Sequence, residues 1–437
     1  MSIQTATPYQ LLALPKKDAL VRGVCGKTTR GIEDTCIRDR PSHFAKKLRQ
    51  DARKRAAMGG QLPSTRYGVT DDRPQTAEGT RLQLGSSAAK TNAVVVSTMM
   101  EAWKIVESGL VTDGIVKDIL YGLPVAINKI ADLSALWDEV SLCGAVVRLI
   151  VDHPKQVEAL EAYEKSRTSP RKWSVFVKVD GGQKRAGVST ATPEFEALLT
   201  ALFTSPAISI YGFYCHAGNA YASTSLSEAS SFLSSEVEAV NVAAERAKSR
   251  ISQSLKSETR EPFVLSVGST PTAHSASAET RAKLSSLLHG TLELHAGNYP
   301  VLDLQQLHTS LIDRQHIAQR VLATVISYYP GRGDDSSDEA MCDAGCIAMS
   351  KDTGPSGGFG EVIGKPWRLG RISQEHGILT RTSGDNEGTL EIGSMVQIVG
   401  QHACLIAAAY PWYYVVDSDM EGGSDKVVDI WVPWKGW

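Results

Sequence analysis

No stretch of this 437-residue chain approaches the ~18 uninterrupted apolar residues that a membrane span requires. Met1-Ser2-Ile3-Gln4 opens the chain without the charged stretch and apolar segment of a secretory signal. Cysteine is sparse: seven residues, scattered and odd in number, argue for reduced thiols rather than a disulfide framework. Charge of one sign is lacking too, since 46 Lys and Arg against 48 Asp and Glu leave a net charge of -2. That balance carries no signature of nucleic-acid or membrane-surface binding. Internal repeats are absent. These absences leave a cytoplasmic protein with a small-molecule partner as the expectation, and the length exceeds one ordinary core, so two domains are expected.

From Asn92 onward short apolar runs alternate with helical stretches. Strand candidates begin at Ala93, Asp118, Val146, Trp173, Ile208, Phe263 and Thr291, and helical candidates cover Met100–Ser108, Gln156–Arg167, Pro193–Leu202 and Leu226–Leu255. Buried strands alternating with amphipathic helices indicate parallel βα units, closed into a barrel or open and doubly wound. Glycine and polar residues gather after the strands, where a barrel keeps its active site. After about Ala318 the pattern becomes all-β, with strand-like runs at Val321–Tyr329, Cys346–Met349, Arg368–Ser373, Ser394–Gly400 and Tyr413–Asp417. The loops Gly331–Glu339 and Asp417–Asp425 read as solvated. The expected domains are an atypical basic segment over 1–75, a (β/α) barrel over 76–317 and a C-terminal β domain over 318–437.

Gly400-Gln401-His402-Ala403-Cys404-Leu405-Ile406 is the most informative segment of the second domain. A His and a Cys two apart on an extended strand share one face, and imidazole nitrogen and thiolate sulfur are ligands that zinc prefers. His402 and Cys404 would form half a tetrahedral site, with room for water or substrate. A buried strand with a packed Cys and a hydrogen-bonded His gives the same pattern.

Three further segments end strands and open into polar loops: Tyr211–Tyr221, Val264–Thr272 and Leu292–Tyr299. Together with the His402–Cys404 run, they resemble the eukaryotic D-serine dehydratases, pyridoxal phosphate- and zinc-dependent members of the alanine racemase-like fold-type III group. The resemblance also covers Thr76–Gly85 and Val427–Trp437. It implies a parallel (β/α)8 barrel followed by a C-terminal β domain, a D-amino acid substrate and a homodimer. The cofactor needs anchors for its phosphate, ring and aldehyde carbon. Gly268, Ser269 and Thr270 after one strand, with Gly297 and Asn298 after the next, could supply N–H groups and hydroxyls to a phosphate, although each alone is also an ordinary turn. Tyr214 and Tyr221 could bond the cofactor or substrate, or pack at the barrel rim. Lys178-x-Asp180-x-Gly182-x-x-Arg185-x-Gly187 resembles a run that, in alanine racemase-like enzymes, places its Arg near the cofactor, which Arg185 would do here. Asp343 falls in a motif that this family places beside the active site.

The implied reaction eliminates water from D-serine to give pyruvate and ammonia, with zinc on His402 and Cys404 helping the hydroxyl to leave. A D-threonine aldolase of the same fold is the nearest alternative, but a thiolate suits zinc better than harder cations. A non-catalytic pyridoxal phosphate-fold protein is the third reading, for one reason. The family's Schiff-base lysine lies in a His-x-Lys-Thr-His-Lys-Thr segment ending the first barrel strand, and alignment on Thr76 puts Asp72 at that position. A carboxylate cannot form an imine. Residues 11–75 are also dense in Lys and Arg and lack apolar periodicity, with no visible first strand. The expectation is that a reading-frame error replaced the first βα unit, which would leave the barrel open.

Overall fold

The computed structural model describes residues 35–39, 64–68, 76–86, 91–216, 218, 225–253, 262–269, 288–298, 300–382, 388–419 and 426–436. The described residues of the N-terminal segment are the strands β1 (Thr35–Asp39) and β2 (Ser64–Gly68). The described residues divide into two compact units, one containing β2 and those within 79–297, the other containing β1, 76–78 and those within 298–436.

The first unit is a parallel barrel. Its strands are β2, β3 (Ala93–Val96), β4 (Asp118–Pro124), β5 (Val146–Val151), β6 (Trp173–Lys178), β7 (Ile208–Tyr214), β8 (Phe263–Val267) and β9 (Gly290–Ala296). Seven of these were legible as apolar runs. The eighth was not: β2 pairs in parallel with β9 through Ser64–Tyr67 and with β3 through Tyr67 and Gly68, which closes the ring that the sequence alone left open. Ser-Thr-Arg-Tyr-Gly carries no hydrophobic alternation, so backbone pairing alone marks it as a strand. Val95, Leu120, Ile150, Phe176, Tyr214 and Val264 form an interior cluster in this unit.

Helices α1 (Ala77–Ser86), α2 (Met99–Glu107), α3 (Ile130–Ser141), α4 (Pro154–Lys165), α5 (Pro193–Thr204) and α6 (Leu226–Gln253) belong to the connections. Their starts are written in the sequence. Thr98 and Glu101 form a reciprocal capping box on α2, and His153 and Gln156 do the same on α4, with Pro154 in its first turn. The C-terminal end of α4 is tied to β6 by a buried carboxylate. Glu164 accepts the Trp173 Nε1–H at 2.9 Å and the Arg171 N–H at 2.7 Å. The Arg171 guanidinium in turn lies 4.2 Å from the Trp137 ring centroid. None of the helices among the described residues is long and apolar enough to cross a membrane.

The second unit is a nine-stranded sheet in the order β11-β14-β13-β12-β15-β10-β1-β16-β17. The added strands are β10 (Gln319–Tyr329), β11 (Glu339–Cys342), β12 (Gly360–Val362), β13 (Trp367–Ser373), β14 (His376–Arg381), β15 (Met395–Gly400), β16 (Tyr413–Val416) and β17 (Val427–Trp431). β1 runs antiparallel to β10 and parallel to β16, so part of the segment expected to be atypical is a strand of this sheet. Among its described residues the unit also carries the short α-helices α7 (Leu304–His308), α8 (Cys346–Met349) and α9 (Ala403–Ala409). Cys346–Met349 is therefore helical and not the strand its apolar run indicated, since four residues are too few to show a period. Glu339, at the end of a segment read as solvated, is buried and paired with Arg332 and Arg371.

Candidate functional site

Inside the barrel unit, β6 to β9 carry a polar layer at their carboxyl ends. The arrangement follows from the two-residue strand period: Phe176 and Val264 lie in the interior cluster, so Lys178 and Ser266 two residues later face the same way. Lys178 is buried, with Nζ 3.9 Å from the centroid of the buried Tyr214 ring. Tyr214 meets the His295 ring edge-on at 4.9 Å. His295 Nε2 lies 2.6 Å from Ser266 Oγ and 3.1 Å from Glu293 Oε1, and Ser266 Oγ donates to the same carboxylate oxygen at 3.1 Å. All three bonds are satisfied when Nε2 carries the ring proton. Polar groups this deep in a barrel persist because they partner one another.

Gly268 follows β8 with φ +130°, where a Cβ would stand 2.5 Å from the His295 carbonyl oxygen. Only glycine fits there. Its carbonyl accepts from His216 Nδ1 at 3.0 Å. Ser269 is buried next to it, and Gly297 is buried after β9. Gly268, Ser269, Tyr214 and Gly297 thus sit at strand ends of one barrel face, as their sequence positions indicated. Arg185 lies exposed on the loop after β6, where Asp180 Oδ1 accepts the N–H groups of Gly182 and Lys184 at 3.0 Å. Tyr221, Thr270 and Asp72 lie outside the described residues.

The second unit holds the His402–Cys404 pair in a setting the sequence reading had wrong. The segment is not a strand. β15 ends at Gly400, His402 is the N-cap of α9 with φ −139° and ψ 101°, and Cys404 lies in the first helical turn. Ala403-Cys-Leu-Ile-Ala-Ala-Ala is rich in helix formers, and an incoming carboxylate takes its first N–H, so the chain turns into a helix. His402 and Cys404 therefore do not share a strand face, and each stands at one side of a fixed turn.

That carboxylate is Asp303, the buried N-cap of α7. Oδ2 accepts the Ala403 N–H at 2.9 Å and the Asn298 Nδ2–H at 2.6 Å, while Oδ1 accepts the Gln306 N–H at 2.9 Å. Burial pushes its carboxyl above the usual range, against the pull of the N–H groups and of His402. Asn298 is thus a partner of Asp303 in this unit. His402 Nδ1 lies 2.6 Å from Asp352 Oδ2. Cys404 is buried. Asp343 accepts the Thr324 N–H at 2.7 Å, a backbone tie to β10. Among the described residues no group of three or more His, Cys, Asp and Glu side chains is arranged to hold a metal, so the pair supplies two donors.

Sequence reasoning missed Ser266, Glu293, His295, Asp303 and Asp352 as site residues. Glu293 and His295 interrupt an otherwise apolar buried strand, which is a readable signal. Asp303 before Leu304 reads as a helix cap. Asp352 gives no local signal.

Residues 82–284 match the family model of the alanine racemase N-terminal domain, and residues 318–416 that of the serine dehydratase domain. The D-serine dehydratase of Schizosaccharomyces pombe is 44% identical over 369 residues, covering 83% of each chain. That of Saccharomyces cerevisiae is 36% identical over 388 residues, 83% of this chain and 86% of its own. Two solved variants of D-threo-3-hydroxyaspartate dehydratase are similar in structure at 25% identity over 94% of this chain. One, with a His replaced by Ala, has a TM-score of 0.76 and is covered over 97% of its length. The other, with a Cys replaced by Ala and described as the metal-free form, has a TM-score of 0.74 and is covered over 100%. A D-threonine aldolase from Filomicrobium marinum, at 18% identity and a TM-score of 0.70, shares the fold alone. With relatives this similar over most of their length, the chain belongs to the D-serine dehydratase family, within the alanine racemase-like fold-type III group.

Proposed function

We propose that this protein is a D-serine dehydratase, a lyase that eliminates water from D-serine to give pyruvate and ammonia with pyridoxal phosphate and zinc. The observation that carries the reading is 44% identity over 83% of a D-serine dehydratase, combined with a His402–Cys404 turn fixed by two carboxylates. The donor chemistry fits both groups in part. One imidazole and one thiol suit zinc and leave positions for substrate and water. The buried polar layer of Lys178, Tyr214, Ser266 and His295 suits a polar aromatic ring, and Gly268 and Ser269 suit a phosphate. The covalent anchor does not fit: Asp72 stands at the lysine position and offers no amine. The first barrel strand itself is present as β2, so the expected loss of the first βα unit does not hold and the departure lies in the missing lysine.

When bound, pyridoxal phosphate supplies the electron sink for removing the α-hydrogen, and zinc the Lewis acid for the departing hydroxyl. The chain's own residues do the rest. His402 and Cys404 hold the metal. Ser269 and the backbone around Gly268 and Gly297 hold the phosphate, with Thr270 and Tyr221 assigned by the resemblance. Tyr214 faces the ring, while Arg185 and Asp343 carry the family's remaining assignments. The purified protein should contain about one zinc per chain. Metal analysis should find none in His402→Ala or Cys404→Ala, and equal zinc in these variants would remove the metal role.

A further inference from the structure

We infer that Asp352 is a positioning residue for the metal, holding the His402 ring so that Nε2 is its ligating atom. The inference rests on the zinc reading above and goes beyond it by assigning a residue outside the His-x-Cys turn. An imidazole has two nitrogens, and its tautomer is set by what the other nitrogen bonds. His402 Nδ1 lies 2.6 Å from Asp352 Oδ2. An ionised carboxylate is only an acceptor, so in the neutral ring Nδ1 carries the proton and the lone pair is left on Nε2. Neutral imidazole ligating through one nitrogen and donating the other N–H to a carboxylate is how metal-binding histidines are fixed and made more basic.

Stability alone gives little reason for this pair. The side chains of His402 and Asp352 are 28% and 39% exposed, and such pairs contribute little to folding. Asp352 reaches His402 across 50 residues of sequence, from the segment following α8. A second carboxylate works on the backbone of the same turn. Asp303 holds the N–H of Ala403, the residue between the two donors, and is itself fixed by Asn298 and Gln306. One carboxylate therefore sets the ring and the other sets the peptide. Two independent restraints on one dipeptide are what a site needs when donor geometry must be held in advance.

Half-buried Asp352 makes the cleaner test, because removing buried Asp303 would perturb folding. Zinc affinity should be measured by chelator competition on the full chain, with the visible spectrum of the cobalt(II)-loaded protein as a second readout. Asp352→Ala should weaken zinc about 10- to 100-fold and change the cobalt ligand-field bands, with an unchanged melting temperature. Asp352→Asn, which still accepts from Nδ1–H without charge, should recover part of the affinity. If His402→Ala loses the metal while Asp352→Ala keeps wild-type affinity and an identical cobalt spectrum, the positioning role is wrong and the zinc reading stands. If His402→Ala and Cys404→Ala bind zinc as wild type does, the zinc reading fails and this inference falls with it.

Discussion

Cys215 and Cys342 show how far burial alone changes a side chain's chemistry. Both thiols are enclosed, and burial pushes each up to about 12, so neither forms appreciable thiolate near neutral pH. Thiolate is the reactive form, and Cys143 is exposed. Brief alkylation of the native protein at pH 7 should therefore label Cys143 and spare Cys215 and Cys342. Labelling of either buried residue as fast as Cys143, read by peptide mass spectrometry, would contradict the packing described. Burial acts on Asp303 in the same direction, disfavouring its charged form. There the N–H groups of Ala403 and Gln306 answer it, which is why a carboxylate can sit in that interior. Sequence singled out His402 and Cys404 but not the acids that bond to this turn. The pair shares three residues of chain, whereas Asp352 and Asp303 arrive by tertiary folding from 50 and 100 residues away.

At the scale of elements, Gly268 joins β8 to the polar layer. Its φ of +130° and the 2.5 Å approach of a would-be Cβ to the His295 carbonyl leave no room for alanine. Gly268→Ala should destabilise the protein by about 1–3 kcal/mol, seen as a lower urea midpoint. A wild-type midpoint would show that the turn is not held as described. The barrel strands from β3 onward were legible because buried parallel strands are apolar runs between helical stretches. β2 was not, because its residues are polar and it is defined by pairing with β3 and β9. The turn at His402 failed for a different reason: a short run of alternating polar and apolar residues fits a strand or a capped helix equally, and alanine decided it.

For the whole molecule, the family relation and the barrel–sheet architecture agree with what the motifs implied, while Asp72 remains the one departure that bears on chemistry. It follows the last residue of β2 by four positions, where the strand-end lysine of the resemblance is expected. The deciding measurement is pyruvate release from D-serine and L-serine, with pyridoxal phosphate and zinc supplied, by the chain as written and by Asp72→Lys. Pyruvate is expected from D-serine alone and only with lysine at that position. Turnover of both enantiomers at equal rates, turnover by the Asp72 chain, or no pyruvate from D-serine by Asp72→Lys would contradict that expectation.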